Sequence, residues 1–179
     1  MSSEITPEID AADVCERLVG ITPIYLQNFL QRGSYGLRSS VSPGKVRSKR
    51  RLFSPADVYG IALVWLLFES GLRGDPIARI LKDVARTKNV NANKAAEILR
   101  SEASDYLLVI RAPRRPSKSI ADKPYQQVHF MQKVQMASER ALVTFLGEDI
   151  DRTILVVPVG DKFADIRTRL EILFECEVN

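Results

Sequence analysis

Three prolines in the first half of the chain each follow a residue type that caps helices and precede a run with helical apolar spacing. The pairs are Thr22-Pro23, Ser54-Pro55 and Asp75-Pro76. A capping side chain satisfies free amide hydrogens at a helix start, and proline costs nothing at the first helical position because its missing N–H would be unpaired there. Each pair therefore predicts the start of a helix, and Asp57 completes a capping box with Ser54.

Apolar spacing and terminating glycines define the rest of these helices. A further start is predicted at Asp10, so that the first two helices cover about 11–18 and 23–31. Gly33 and Gly71 follow the second and third helices, where a left-handed residue is wanted. The third helix is apolar almost all round, which is typical of a buried helix. The fourth carries one apolar stripe, formed by Ile77, Ile80, Leu81 and Val84.

The first two predicted helices are joined only by the sequence VGI, which contains Gly20. Two short helices joined by a tight glycine-containing turn are typical of a helix-turn-helix. In the second helix, Leu26, Phe29 and Leu30 are predicted to face the core. The opposite face carries no acid and presents Ile24, Gln27, Asn28 and Gln31, with Arg32 at its edge. Asn and Gln can pair with adenine and Ile can contact a thymine methyl, but an ordinary polar helix face has the same composition.

The segment from Arg17 to Ala56 holds eight Lys or Arg residues and no Asp or Glu, although the net charge of the whole chain is only +4. Charge concentrated in this way indicates a surface for a polyanion. Residues 35–40 and 49–54 alternate enough to form short strands, and Pro43-Gly44 between them is a strong turn signal. The sequence therefore predicts a basic hairpin, the wing of a winged helix-turn-helix. A solvated basic loop is the alternative.

With these motifs in place, residues 9 to 84 resemble the DNA-binding domain of the mercury-resistance regulator (MerR) family. Gly20-Ile21-Thr22 is similar to the family's turn, and Arg51-Leu52-Phe53-Ser54 with Asp57-Val58 is similar to the run after its wing. The resemblance implies that Arg51 contacts DNA phosphate at the base of the wing. Gln27 stands where the family has an arginine, Asn28-Phe29 where it has an aromatic pair, and the wing is longer and more basic than is usual in the family.

Beyond residue 88 the resemblance fades. A fifth helix is predicted over 91–102 and a buried strand over 105–113, followed by a polar basic loop over 114–124. The segment 125–136 fits a strand or a helix, and we favour a strand. Two more strands are predicted over 141–147 and 153–160. The last helix, over 161–175, has an apolar stripe formed by Phe163, Ile166, Leu170 and Leu173.

Several other classes of protein are disfavoured by composition. The longest apolar run, residues 61–68, is too short to span a bilayer, and the acidic N-terminus lacks the features of a signal peptide. Cys15 and Cys176 are far apart, which favours two reduced thiols over a disulfide or metal site. His129 is the only histidine, and no nucleotide-binding or hydrolase motif is present. We therefore predict no catalytic residues, no metal and no cofactor, and a cytoplasmic, nucleoid-associated protein.

The predicted fold class is α+β, with a MerR-like winged helix-turn-helix over residues 1–88 and a small α/β domain for dimerisation or sensing over 89–179. The predicted function is a sequence-specific regulator of transcription that binds double-stranded DNA. An architectural or partitioning DNA-binding protein is the first alternative, and a module that binds an acidic protein is the second. We expect a homodimer formed through the stripe of the last helix and the strands before it, and a possible contact with RNA polymerase.

The predicted DNA-binding residues lie on the second helix and on the basic hairpin. They are Thr22, Ile24, Tyr25, Gln27, Asn28, Gln31, Arg32, Arg38, Lys45, Arg47, Lys49, Arg50 and Arg51.

Overall fold

The structure is a computed structural model of the 179-residue chain. It describes residues 8–33, 35–37, 51–111, 126–131 and 153–177. The described elements mix helices and strands, which agrees with the α+β class. In chain order they are β1 (Ile9–Asp10), α1 (Ala11–Asp13) with a π-helical continuation (Val14–Val19), α2 (Pro23–Arg32), β2 (Leu52–Phe53), α3 (Pro55–Glu69), α4 (Asp75–Ala85), α5 (Ala92–Ser101), β3 (Tyr106–Arg111), β4 (Gln126–Met131), β5 (Thr153–Val157) and α6 (Val159–Glu177).

The predicted helix starts are confirmed at Asp10 and Ser54. Asp10 Oδ1 accepts a hydrogen bond from the backbone N–H of Asp13 at 2.9 Å. Ser54 and Asp57 form the reciprocal capping box: the Ser54 N–H donates to Asp57 Oδ2 at 2.8 Å, and Ser54 Oγ accepts from the Asp57 N–H. Thr22 occupies the capping position of α2, but its side chain makes no capping bond.

The predicted cap at Asp75 is wrong by one residue. The capping position belongs to Gly74, which has a φ of 58° that suits glycine, and Asp75 is already inside α4. Its carboxylate then lies in the first turn, where the helix dipole still favours a negative charge.

The first helix is only partly α-helical. Ala11–Asp13 continues as a π-helix over Val14–Val19, which ends at Gly20 with a φ of 76°. Val14 and Leu18 are fully buried on its inner side. The predicted turn between the first helix and α2 is therefore present, with a wider helix than expected leading into it.

The core forms around α3, as its apolar composition predicts. α4 and α5 pack beside it, and all four stripe residues of α4 are fully buried. The apolar stripe of α6 also enters this core, because α6 contacts α3, α5 and the π-helical segment. The last-helix stripe is therefore covered by its own chain, and the expectation that this stripe forms a dimer contact is wrong, whereas a contact through the preceding strands stays a prediction.

The predicted boundary at residue 88 separates elements that pack together here. α5 and α6 lie after this position, yet their buried side chains belong to the same hydrophobic cluster as those of α3. The division into domains over 1–88 and 89–179 stays a prediction.

The short strand β2 pairs with β1 in antiparallel register, with Ile9 opposite Phe53 and Asp10 opposite Leu52. The hairpin prediction had paired 49–54 with 35–40, but residues 35–37 form no strand. Tyr35 O instead accepts a hydrogen bond from the Ala92 N–H at 3.1 Å, which holds this segment against the start of α5. The remainder of the predicted wing, residues 38–50, lies outside the described residues.

Three strands form a second antiparallel sheet in the order β4-β3-β5. The strand predictions for 105–113 and 153–160 are confirmed within Tyr106–Arg111 and Thr153–Val157, and the ambiguous segment is a strand over Gln126–Met131. The predicted loop over 114–124 and strand over 141–147 lie outside the described residues. In the part of the chain that the structure describes, no helix is both long and apolar enough to cross a bilayer.

Candidate nucleic-acid interface

Helix α2 is divided into a buried and an exposed face, as its sequence predicts. Leu26 and Phe29 are buried in the core. Ile24 is 71% exposed, although exposing a large apolar side chain to water does not stabilise the fold. Gln27 and Gln31 are exposed and Asn28 is half-buried. The exposed face therefore combines amide donors and acceptors with one apolar contact point, and it carries no carboxylate.

Tyr25 is held at the edge of this face by an aromatic cluster. Its ring centroid lies 5.3 Å from that of Trp65 and 5.1 Å from that of Phe68, at tilted angles. Such pairs favour one ring orientation. Tyr25 remains 39% exposed, so part of its side chain is open to solvent. Trp65 is half-buried and packs against the core.

Arg51 immediately precedes β2 and is exposed. It borders a cleft of about 570 Å³ that Gln27 also borders, so the structure brings these two predicted residues to one site. Asp10 and Glu16 line the same cleft. The cleft is therefore mixed in charge, unlike the acid-free face of α2.

The described residues cover only part of the predicted site. Thr22, Ile24, Tyr25, Gln27, Asn28 and Gln31 share α2 and its N-terminal cap, with Arg51 nearby. Arg32 is the last residue of α2. Arg38, Lys45, Arg47, Lys49 and Arg50 lie outside the described residues.

Arg73 extends this surface and was not predicted from the sequence. Its guanidinium carbon lies 3.5 Å from the ring centroid of Phe68, which in turn contacts Tyr25. A stacked guanidinium of this kind adds positive charge beside an aromatic cluster. No local motif marks Arg73, because its place beside α2 depends on the contact of Phe68 with Tyr25.

Cys15 lies at the border of the same cleft and is buried. Burial raises the pKa of its thiol, and the neighbouring Glu16 carboxylate raises it further. Among the described residues, no group of three or more His, Cys, Asp or Glu side chains could hold a metal ion. The expectation that no metal or cofactor is bound stays a prediction.

No sequence profile of a known protein family matches the chain, and no curated protein is similar enough to count as a relative.

Proposed function

We propose that the chain binds double-stranded DNA through α2 and the basic segment that follows it, and acts as a sequence-specific regulator of transcription. In this proposal the domain is a winged helix-turn-helix similar to that of the MerR family. α2 enters the major groove, and the wing contacts backbone phosphates beside it.

The observation that carries the proposal is the acid-free exposed face of α2. Gln27 and Gln31 are exposed on a helix whose other side is anchored by Leu26 and Phe29. Amide side chains read base edges through paired hydrogen bonds, and the exposed Ile24 suits a thymine methyl. An anchored helix keeps these groups in a fixed relation, which base reading requires.

Within this surface, Arg51 would contact DNA phosphate, whereas the amide side chains of α2 would read bases. Arg51 lies at the end of the basic segment and at the start of β2, which β1 holds in place by pairing. A guanidinium there can contact phosphate, which fixes the register of the protein on DNA without reading sequence. The remaining cations of the segment would add sequence-independent affinity.

The first test is the binding of the purified chain to a random DNA duplex at several salt concentrations. We expect the logarithm of affinity to fall linearly with the logarithm of salt concentration, as counterions are released from the phosphates. Absence of such binding would contradict the proposal and favour a module that binds an acidic protein. Selection from genomic DNA then separates a regulator from an architectural or partitioning protein, because only a regulator protects discrete operators.

We further propose a homodimer, since one reading helix recognises only a half-site and two-fold pairing increases specificity. Its contact lies elsewhere than the buried stripe of α6. Mass measurement at protein concentrations of about ten to a hundred micromolar tests this, and a strictly monomeric mass would contradict it. A contact with RNA polymerase belongs to the same proposal and is tested by co-purification with operator-bound protein.

A further inference from the structure

A cleft of about 300 Å³ lies where α3, α5 and α6 meet. Phe163 and Ala164 give it an apolar wall, and Arg100 and Arg167 border it from α5 and α6. Sites for small molecules combine an apolar wall with a few polar groups in this way, and this volume is at the lower end of their range.

Tyr59 forms the floor between the two arginines. It is only 4% exposed, and its ring meets that of Phe163 edge-on at a centroid distance of 5.5 Å. The guanidinium carbon of Arg100 lies 3.8 Å from the centroid of the Tyr59 ring. Burial raises the pKa of Tyr59, Arg100 and Arg167 act to lower it, and the Glu171 carboxylate acts to raise it. Both guanidinium groups therefore lie within electrostatic reach of the Tyr59 hydroxyl.

The two arginines are weakly neutralised by the protein itself. Arg100 forms no ion pair with any described residue. Arg167 has Glu171 at 4.0 Å, but both side chains are more than 60% exposed, so this pair contributes little. Asp105 also borders the cleft. With Glu171 counted, two guanidinium groups and two carboxylates lie at the cleft, and Arg100 is the cation that no described carboxylate pairs with.

From this arrangement we propose that the cleft binds a small carboxylate that carries a flat apolar body. Guanidinium groups bind carboxylates through planar, paired, charge-assisted hydrogen bonds. The carboxylate would lie between Arg100 and Arg167, and the apolar body would lie against Phe163 and Ala164.

The position of the cleft links it to the DNA-binding surface. α6 supplies Phe163 and Arg167, and the adjacent Lys162 donates a hydrogen bond to the backbone oxygen of Val19, at the turn before α2. A ligand that holds α6 against α5 would therefore act on the helix that contacts this turn. This regulatory consequence rests on the proposed function, whereas ligand binding itself does not.

The experiment is calorimetric titration of the full chain, without DNA, with benzoate, benzamide and inorganic phosphate. We expect saturable binding of benzoate, and binding weaker by about tenfold or more for benzamide, which has the same ring but no charge. Phosphate lacks the apolar body and should also bind more weakly. Equal affinity for benzoate and benzamide, or no saturable binding of benzoate, would overturn the proposal.

Arg100→Gln and Arg167→Gln should each weaken benzoate binding by about tenfold. Lys82→Gln removes one exposed cation on α4 and should leave binding unchanged. If Arg100→Gln does not fold, Arg167→Gln tests the site by itself, because the Arg167 side chain is 71% exposed and its replacement should not disturb the fold. Benzoate affinity in Arg167→Gln equal to that of the unmodified chain would overturn the site. If benzoate binds and DNA does not, only the proposed function fails. If benzoate and DNA both bind and neither changes the affinity for the other, only the regulatory link is wrong.

Discussion

The side chain of Lys162 donates a hydrogen bond to the backbone oxygen of Val19 at 3.0 Å. Val19 is the last residue of the π-helical segment, where carbonyl groups lack partners within the helix. Arg169, two turns further along α6, donates in the same way to the oxygen of Arg17 at 3.2 Å. Two cations thus satisfy the C-terminal end of the first helix, immediately before the turn that leads into α2.

Replacing Lys162 with Met should lower the free energy of unfolding by about 1–2 kcal/mol, because a charge-assisted hydrogen bond is removed and a carbonyl oxygen is left without this donor. Urea denaturation measures the change. Lys82→Met, which removes an exposed lysine from α4, is the matched control and should change stability by less than about 0.5 kcal/mol. Equal stability of the two variants would show that the Lys162 bond contributes nothing.

The capping residues offer a second matched pair. Ser54→Ala removes an acceptor for the Asp57 N–H and should cost about 1 kcal/mol of unfolding free energy. Thr22 holds the corresponding position on α2 but makes no capping bond, so Thr22→Ala should cost much less. Thermal or urea unfolding of both variants compares them directly. A larger loss of stability for Thr22→Ala than for Ser54→Ala would contradict the observed difference between the two caps.

The Cys15 thiol should stay protonated at neutral pH, because burial and then Glu16 raise its pKa above the ordinary value near 9.0. In native protein at pH 8, we expect iodoacetamide to alkylate it at least about tenfold more slowly than in urea, since both the thiolate fraction and access are reduced. Site-resolved mass spectrometry distinguishes it from Cys176. Equal rates in native and unfolded protein would contradict this.

The same pKa shift determines how stability depends on pH. The unfolded chain ionises this thiol at lower pH than the folded chain does. The contribution of the protonated thiol to stability is therefore fully present below about pH 9 and is lost as pH rises through the folded pKa. We also predict that no metal is sensed through cysteine, so that replacing both Cys15 and Cys176 with Ser leaves any metal response intact.

Local signals in the sequence predicted the helices well, because caps and stripes depend on neighbouring residues. Ser54 with Asp57 specifies the start of α3, and Gly33 the end of α2, without reference to the rest of the fold. The cap of α4 was predicted at Asp75, but it lies one residue earlier, at Gly74, because glycine can take the positive φ that the turn requires. The π-helical form of the first helix has no signal in its apolar spacing.

Pairings between distant segments were not predictable in this way. The stripe of α6 indicates that one face is buried, but it does not identify what covers that face. The same limit applies to β2. The alternation of apolar and polar residues there predicted a strand, but it could not show that the strand pairs with β1 and not with residues 35–40. For the candidate site, the faces of α2 were predicted correctly. The contacts of Phe68 with both Tyr25 and Arg73, and the cleft that Gln27 and Arg51 share, emerged only from packing.

The amide face of α2 leads to a prediction about specificity. Changing Gln27 and Asn28 together to Ala should weaken binding to a selected operator by about 1–3 kcal/mol for each base that these amides read. Binding to random duplex DNA should change little, because phosphate contacts dominate it. Fluorescence anisotropy with both DNAs measures the two effects. An equal weakening on both would indicate that these side chains do not read bases.

The basic segment should behave in the opposite way. Changing Arg50 and Arg51 together to Ala should weaken binding to operator and random DNA alike, because phosphate contacts carry no sequence information. Removing one phosphate contact lowers the slope of log affinity against log salt by about 0.9, so the double variant should lower it by up to roughly two. Measuring this variant and the α2 variant against both DNAs at several salt concentrations gives a two-by-two comparison. If the Arg50 and Arg51 variant binds random DNA with an unchanged slope, the basic segment is a solvated loop and its proposed role in DNA binding is wrong.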